Sequence, residues 1–465
     1  MKRITPLLMA LCLAVTAYGE VQTPAIFSSH MVLQRGKEIP VWGTAAPGEA
    51  ITVTLAGTAK STQADTDGKW IVRLPAMTEG GPYLLRVMGQ NSLVFEDVLI
   101  GEVWLCSGQS NMEMPLQGWP NQPIEGSDEA IQAANYPNLR LFTVKKRIAP
   151  QPEYDCEGEW SACTPEKAAP FSATAFFFGR KVYQELNIPV GLIHSSWGGT
   201  PAEAWTSGES LSRLEDFKAE VERIRQAENP TNPQAPTVLY NGMIQPLVPF
   251  ALRGAIWYQG ESNASRAKQY RTVFPNMIQN WRDVFQQGDF PFYFDQIAPF
   301  NYGVDNTIGV ELREVQRECL ATVKNIGMAV LLDKTTMDNI HPPYKKEAGE
   351  RMALWALAKD YGKDVVYSGP IYKSQTIEDG QIRLNFDYAA PGLQLDNVQA
   401  DDFKIAGEDK VFHPAEVKID GETLVVSSPQ VPKPVAVQYA WSNFATASLF
   451  NKAGLPASSF RTDEW

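Results

Sequence analysis

The sequence predicts an α/β protein whose parallel sheet is covered by helices on both faces, in three layers, and is flanked by two β-sandwich-like regions. Apolar strand-like runs alternate with amphipathic helical runs between about residues 99 and 362. Short β-type runs separated by turn signals fill residues 20–98 and 363–465. The length of 465 residues also exceeds that of one ordinary domain.

Residues 1–19 have the features of a secretory signal peptide. Lys2 and Arg3 precede an apolar stretch from Ile4 to Ala17, and the small residue Gly19 follows it. We therefore expect cleavage near Glu20 and a secreted or periplasmic protein. No later apolar run in the sequence approaches the roughly 20 residues that a membrane span requires.

The two outer regions, residues 20–98 and 363–465, each show the short period of antiparallel strands. In the first region, β-type runs at 39–42, 50–55, 70–74 and 83–87 are separated by turn signals such as Asp65 to Gly68. In the second, runs at 382–386 and 423–427 are preceded by Asp379-Gly380 and Asp420-Gly421. We predict an N-terminal β-sandwich and a second β-rich domain at the C-terminal end.

The central region, residues 99–362, is predicted to contain five strand-plus-helix units, too few for an eight-unit barrel. Helical spacing is clearest for two sets of apolar side chains, the first being Tyr270, Phe274, Ile278, Trp281 and Phe285, and the second Ala348, Met352, Trp355 and Leu357. The predicted strands are Val103–Cys106, Val190–His194, Ala255–Tyr258, Phe292–Ile297 and Met328–Leu332.

Charge and composition limit the partners and cofactors. The formal net charge of −12 argues against nucleic acid and anionic membranes as partners. No pair of CxxC motifs occurs, which argues against a structural zinc site, and no other feature of the sequence indicates a metal or an organic cofactor. Cys156 and Cys163 are close enough in sequence to form a disulfide in an oxidising compartment, with two free thiols as the alternative. The oligomeric state is not predicted.

Ser110 is the candidate nucleophile. It follows the first predicted central strand in the turn Ser107-Gly108-Gln109-Ser110-Asn111, where a glycine allows a serine to be presented at the start of a helix. Backbone N–H groups at that position would stabilise an oxyanion. Serine is also a common helix cap, so this turn alone does not decide the role.

A serine nucleophile needs a base, and the sequence offers four histidines. His30 and His413 lie in the outer β regions, and His194 ends an apolar strand, so a structural role is expected for each. His341 follows the last predicted central strand in Asp338-Asn339-Ile340-His341. The spacing lets one loop supply both the base and the carboxylate that orients its imidazole.

Two further motifs follow two of the three remaining strands at the same predicted sheet edge, where ligands bind in open α/β sheets. In Trp197-Gly198-Gly199-Thr200, the two glycines allow backbone N–H groups to approach a substrate closely. The segment from Gln259 to Asn263 offers side-chain amides that suit an oxyanion.

Together these four motifs, in this order, resemble the sialate O-acetylesterase group of the SGNH (GDSL-type) hydrolase superfamily. The resemblance covers about residues 99–360 and implies a flavodoxin-like three-layer α/β/α catalytic domain. It also implies a serine esterase that removes O-acetyl groups from sugars. Residues 99–362 would form the SGNH-type domain, flanked by the β-sandwich of residues 20–98 and the β-rich domain of residues 363–465.

The resemblance implies an acyl-enzyme mechanism with Ser110, Asp338 and His341 as the catalytic triad. The oxyanion hole would comprise the backbone N–H groups of Ser110 and of Gly198 or Gly199, with a side-chain amide from the third motif. Ser262 stands where the wider superfamily has an asparagine, so Gln259 is the first candidate for that amide and Asn263 the second.

Alternatives remain for both the substrate and the reaction. Acetylated sialic acid is the first substrate, and an acetylated plant polysaccharide such as xylan or xyloglucan is the second. If the substrate is sialic acid, Arg266 is one candidate for binding its carboxylate, and Trp119, Trp197, Trp205 and Trp257 are candidates for stacking on a sugar ring. A glycosidase using Glu261 and Asp295, or a non-catalytic glycan-binding protein, would belong to a different class.

Overall fold

The computed structural model describes residues 19–303 and 307–465. Strands of the first half of the chain are β1 Val32–Gln34, β2 Ile39–Thr44, β3 Ala50–Leu55, β4 Thr58–Gln63, β5 Lys69–Leu74, β6 Gly80–Met88, β7 Ser92–Gly108, β8 Tyr136–Thr143, β9 Trp160–Cys163 and β10 Val190–Ser196. They are followed by β11 Gly254–Tyr258, β12 Phe292–Asp295 and β13 Ile326–Ala329. The C-terminal strands are β14 Ile371–Glu378, β15 Gln381–Asp387, β16 Leu393–Leu395, β17 Phe403–Ala406, β18 Phe412–Pro414, β19 Glu416–Asp420, β20 Thr423–Ser427, β21 Ala436–Tyr439, β22 Leu449–Asn451 and β23 Phe460–Arg461.

The helices lie in the central part of the chain. They are α1 Ser110–Glu113, α2 Ser127–Gln132, α3 Pro165–Ala168, α4 Ala173–Leu186, α5 Gly208–Leu211, α6 Glu215–Arg225, α7 Ala267–Phe285, α8 Ile308–Thr322 and α9 Lys345–Lys359. Shorter 3₁₀ segments cover Ala202–Trp205, Gln245–Leu247 and Glu261–Arg266, and a π-helical turn covers Tyr240–Ile244.

The central sheet has the strand order β13-β12-β11-β7-β10-β8-β9. All neighbouring pairs from β13 to β8 are parallel, and β9 alone runs antiparallel at the edge. The predicted parallel sheet is confirmed, because the five predicted strands correspond to β7, β10, β11, β12 and β13. Among themselves these five have the order 2-1-3-4-5 that characterises flavodoxin-like sheets.

Helices cover both faces of this sheet. Successive residues of each strand point to opposite sides, so a strand buried on both faces contacts a different helical layer on each side. Trp104 and Cys106 of β7 pack in one apolar cluster with side chains of α4 and α9. Val103 and Leu105 of the same strand pack in the other cluster, which includes α7 and α8. All five predicted core residues of α7 are buried, and so are those of α9.

The N-terminal region is joined to the central sheet by one continuous strand. β7 has 17 residues; its first half pairs antiparallel with β6, and its second half pairs parallel with β10 and β11. β6 in turn pairs with β3, and β3 with β4, while β2 and β5 form a separate two-stranded sheet. The predicted boundary between residues 98 and 99 thus lies inside β7. The β-sandwich and the domain boundaries stay predictions.

The C-terminal region is built from antiparallel strands in three sheets. β14-β15-β20-β19 and β18-β17-β21-β23 form two four-stranded sheets, and β16 pairs with β22. The β-rich character predicted for this region is therefore observed.

Other predictions concern cysteines and membrane spans. Cys106, Cys156, Cys163 and Cys319 are buried free thiols, so the structure has the free-thiol alternative rather than the Cys156–Cys163 bridge. Across the two described ranges, every helix is too short or too polar to cross a bilayer. The predicted signal peptide lies almost entirely outside the described residues, which begin at Gly19.

Candidate active site

Ser110 is the first residue of α1, directly beyond the end of β7, and only 9% of its surface is exposed. The turn requires glycine at position 108, where φ is +140° and a Cβ would lie 2.2 Å from the Tyr258 carbonyl oxygen of β11. The Gln109 backbone N–H donates to the same carbonyl at 3.0 Å. As the first helical residue, Ser110 has a backbone N–H with no acceptor inside α1.

Gly198 lies against Ser110. A Cβ at Gly198 would be 3.2 Å from the Ser110 Cβ, so the second motif and the candidate nucleophile are in contact. The Gly198 backbone N–H donates to the Glu113 carboxylate, whose other oxygen binds Lys146. This N–H therefore already binds a negatively charged oxygen, as an oxyanion donor should, although the oxygen belongs to the protein.

Gln259 and Asn263 are fully buried and bind each other. The Gln259 Nε2 donates to Asn263 Oδ1 at 2.7 Å and to the Thr200 carbonyl at 3.3 Å, which uses both of its N–H bonds. The Asn263 Nδ2 donates to Glu203 at 3.0 Å. In this arrangement the two amides connect the second and third motifs to each other.

His341 lies in the loop between β13 and α9, where its Nδ1 is 2.8 Å from the side-chain oxygen of Gln122. An amide oxygen can only accept, so Nδ1 carries the proton and Nε2 is left as an acceptor. Burial, together with the positive charge of Lys345, lowers the pKa of His341 to about 4, while Glu113 acts in the opposite direction. The imidazole is therefore neutral near pH 7, as a general base must be.

Asp338 is exposed, and within the described ranges no hydrogen bond joins its carboxylate to His341. The two residues share one loop, as predicted, and the backbone N–H of His341 binds the Asn339 side chain at 2.9 Å. The structure thus pairs the imidazole with Gln122 rather than with Asp338. Gln122 could not be identified from the sequence, because its loop shows neither the strand nor the helix periodicity that would place it near His341.

The Ser110 turn and the His341 loop are connected through Asn111. Its side-chain Nδ2 donates to the Ile340 carbonyl at 3.0 Å, so the residue after the candidate nucleophile binds the residue before the candidate base. His194 is buried and bonded to Ser196 at 2.6 Å, which fits the structural role expected of it. His30 is bonded to Asp97 in the N-terminal region.

Several sugar-binding candidates differ in their access to solvent. Trp205 and Trp257 are completely buried and belong to the core. Trp119 and Trp197 are half-buried; Trp119 packs edge-on against the His341 ring, with centroids 5.1 Å apart. Arg266 is paired with Glu203 at 2.7 Å. Within the described ranges, no cluster of three or more His, Cys, Asp or Glu side chains could hold a metal ion.

Comparisons with known proteins identify the family. Residues 100–357, more than half of the chain, match the family described as carbohydrate esterase, sialic acid-specific acetylesterase. The chain belongs to this family. It is 31% identical to the sialate O-acetylesterase of Mus musculus over 90% of this chain and 88% of the relative. It is 34% identical to that of Homo sapiens, over 81% and 78% of the two chains.

A solved structure supports the same family. A carbohydrate acetylesterase from Xanthomonas citri superimposes with a TM-score of 0.87 and 40% identity, covering 96% of this chain and all of the other. This chain is therefore a carboxylic-ester hydrolase that acts on O-acetylated sugars. The family match confirms the resemblance found in the four motifs.

Proposed function

We propose that this carbohydrate esterase removes O-acetyl groups from sialic acid through an acyl-enzyme on Ser110, with His341 as the base. The observation that carries the proposal is the 3.0 Å hydrogen bond from Asn111 to the Ile340 carbonyl, which brings the Ser110 turn and the His341 loop together. A neutral imidazole with its Nε2 free to accept a proton completes the requirement for a serine nucleophile.

The reaction would proceed in two displacements. The Ser110 Oγ attacks the acetyl carbonyl carbon while His341 Nε2 takes the hydroxyl proton, and the same proton then goes to the departing sugar oxygen. Water next attacks the acetyl-serine and loses a proton to His341, which returns it to the Ser110 Oγ as the acyl–oxygen bond breaks and acetate leaves. Asp338 is proposed to stabilise the imidazolium, for which it would replace Gln122 at Nδ1.

The oxyanion would be bound by the backbone N–H groups of Ser110 and Gly198. The substrate oxygen would take the place of the Glu113 carboxylate on the Gly198 N–H. For the side-chain amide, Asn263 now comes ahead of Gln259, because one N–H of Asn263 has no acceptor among the described residues, whereas both of Gln259 are used. Each donor is expected to contribute through fixed geometry rather than through net charge.

Lys146 supports an anionic sugar as the substrate. Its side chain is 41% exposed, binds Glu113, and lies over the Trp197 ring at 5.1 Å from the centroid. Because Glu113 also accepts from the Gly198 N–H beside Ser110, one carboxylate links this ammonium to the turn that carries the candidate nucleophile. It could bind a sialate carboxylate in place of Glu113, whereas neutral xylan or xyloglucan would gain nothing from it.

The experiment is acetate release from 9-O-acetylated N-acetylneuraminic acid and from acetylated xylan, with a Ser110→Ala variant. We expect release from the sialic acid that disappears in Ser110→Ala. Release from xylan alone would move the substrate to plant polysaccharide. Activity that survives Ser110→Ala would refute the serine mechanism.

A second pair of variants tests the substrate class. Lys146→Ala should raise the KM for acetylated sialic acid about 10-fold, the value of one charge-assisted hydrogen bond. Lys145→Ala is the matched control, because the neighbouring Lys145 is 68% exposed and pairs with Glu157 instead. An equal effect of the two variants would contradict the role of Lys146.

The glycosidase alternative is not supported. Asp295 is completely buried, so it cannot contact a glycosidic bond or its attacking water. Glu261 uses one carboxylate oxygen to bind Asn111 at 2.6 Å, and its other oxygen is buried.

Export through the signal peptide remains part of the proposal, and N-terminal sequencing of the secreted protein should give a chain that starts near Glu20.

A further inference from the structure

A buried polar cluster lies directly beneath the Ser110 turn and the His341 loop. We propose that two of its members, Asn111 and Lys345, are positioning residues that hold the base against the nucleophile and set the charge felt by His341. This inference rests on the proposed function, in which Ser110 and His341 carry the reaction.

Asn111 is completely buried, and its side chain is held from three directions. Its Nδ2 donates to Glu261 Oε1 at 2.6 Å and to the Ile340 carbonyl at 3.0 Å, and its Oδ1 accepts from Lys345 Nζ. Its backbone carbonyl accepts from the Thr174 hydroxyl at 3.0 Å. A side chain with every polar atom used has a single orientation, so the spacing between the turn and the loop is fixed by one amide.

Lys345 is the first residue of α9, and only 1% of its surface is exposed. Its ammonium binds Asn111 and lies over the Tyr258 ring at 5.5 Å from the centroid. A lysine is almost never buried to this extent unless it is paired. Here the compensating charges are carboxyl groups at the ends of two neighbouring strands.

Those carboxyl groups belong to Glu261, which follows β11, and Asp295, which ends β12. Both oxygens of Asp295 are buried without a hydrogen-bond partner among the described residues, as is Oε2 of Glu261. Burial raises the pKa of both carboxyl groups and lowers the pKa of Lys345 to about 7. The charge of Lys345 acts to lower the pKa of each carboxyl group, and the two carboxylates act to raise the pKa of Lys345. The ionisation of Lys345 and that of the two carboxyl groups therefore depend on one another.

The charge of Lys345 reaches the catalytic base. Lys345 comes four residues after His341, and its positive charge is one of the causes that lower the pKa of His341. The groups facing Lys345 are Asn111 from α1, Tyr258 and Glu261 from the end of β11, Asp295 from β12 and His341 from its own loop; Arg351 of α9 acts on Asp295. Loss of the ammonium should raise the pKa of His341, whereas an arginine that keeps the charge should not.

The geometric part of the inference is tested with Asn111→Asp. The substitution keeps the shape of the side chain but removes the donor that binds Ile340 and Glu261. We expect kcat to fall about 30-fold or more with KM within about three-fold, because misplacement of the base affects the transition state more than the bound substrate. Asn280→Asp is the control: Asn280 of α7 is 5% exposed and makes two hydrogen bonds to Ser207, both at 2.9 Å.

Thermal stability separates a positioning role from a structural one. If both Asp variants lower Tm by similar amounts but only Asn111→Asp lowers kcat, Asn111 positions the base. If the two variants lose activity equally, or if Asn111→Asp changes KM alone, the inference is wrong. Should Ser110→Ala retain activity, the proposed function itself fails; a dead Ser110→Ala with a fully active Asn111→Asp would overturn only the positioning role.

The electrostatic part is tested without reference to turnover. Titration of the histidine C2–H signals by NMR, with His341→Asn to assign the signal, measures the pKa of His341 directly. Lys345→Met should raise that pKa by about half a unit or more, and Lys345→Arg should leave it within about 0.2 units. Equal values in the wild type and Lys345→Met would refute the electrostatic role, even if either variant is inactive.

Discussion

His341 has two candidate partners for its Nδ1, and they differ in charge. The amide oxygen of Gln122 is 2.8 Å away, whereas Asp338 is exposed on the same loop. A neutral amide can fix the tautomer of the imidazole, whereas the charge of a carboxylate would in addition stabilise the imidazolium of the proposed mechanism. The two roles can therefore be measured separately.

We predict that Asp338→Asn lowers kcat/KM about 10²-fold or more, and that Gln122→Ala lowers it about 10-fold. The larger effect belongs to the residue that supplies negative charge in the transition state. Steady-state measurement of kcat/KM for both variants on one acetylated substrate shows which substitution has the larger effect. The reverse order would mean that Gln122 alone holds the base and that Asp338 has no catalytic part.

The pH dependence of activity should reflect the lowered pKa of His341. Because the base must be neutral, activity should be lost only as the pH falls through about 4, rather than through the ordinary value of 6.5. Glu113 raises the pKa of His341, so Glu113→Gln should move this acid limb to still lower pH. A kcat/KM profile that falls near pH 6.5 in the wild type would contradict the burial of the imidazole.

At the scale of elements, the strand-to-helix turn at Gly108 is the feature on which the site depends most. We predict that Gly108→Ala destabilises the fold by about 3 kcal/mol or more, because the new Cβ would meet the backbone of β11. Gly126→Ala is the control, since Gly126 also has a positive φ of +68° but nothing within 4 Å of its Cβ position. Its expected cost is about 1 kcal/mol of backbone strain. Chemical denaturation measures the free energy of unfolding of both variants. Equal losses would exclude the steric contact between the new Cβ and the β11 backbone as the cause.

The five predicted strands were found because each is an apolar run bounded by turn signals, as expected for strands buried on both faces. β8 was missed, because Pro137, Asn138 and Arg140 interrupt its apolar pattern. The buried Arg140 is tolerated there because Asp97 accepts from its guanidinium at 2.7 Å. That contact joins residues 43 positions apart, so no local pattern could have revealed it.

The same limit applies to the candidate site. Ser110, Gly198 and His341 follow strands at one sheet edge, so their neighbourhood could be predicted from the order of strands and motifs. Lys345 and Gln122 could not, because a lysine at a helix start and a glutamine in a loop are normally solvated. Lys345 is placed at the site by the packing of α9 against the Ser110 turn, and Gln122 by the contact of the loop before α2 with the His341 loop.

At the scale of the whole molecule, the N-terminal region and the central sheet share both a strand and a charge cluster. Glu102 of β7 is completely buried, and it binds Arg35 of the N-terminal region and Arg253 before β11. It also accepts from the Tyr361 hydroxyl at 3.1 Å, just beyond α9. Burial alone would raise the pKa of Glu102, but the two guanidinium groups outweigh it and hold the pKa below 4.5. One carboxylate thus joins three parts of the chain.

Glu102→Gln should therefore destabilise the protein by about 3 kcal/mol or more, because two guanidinium groups lose their common charge partner. Glu79→Gln is a matched control, since Glu79 binds the same Arg35 at 2.8 Å but is 43% exposed, and its loss should cost less than about 1 kcal/mol. The stabilisation by ionised Glu102 is present above pH 4.5 and is lost as the pH falls through its lowered pKa. The difference in the free energy of unfolding between wild type and Glu102→Gln should therefore shrink in acid. Denaturation curves at pH 7 and pH 3 measure this, and a difference that grows in acid would mean that Glu102 is not held ionised by its arginines.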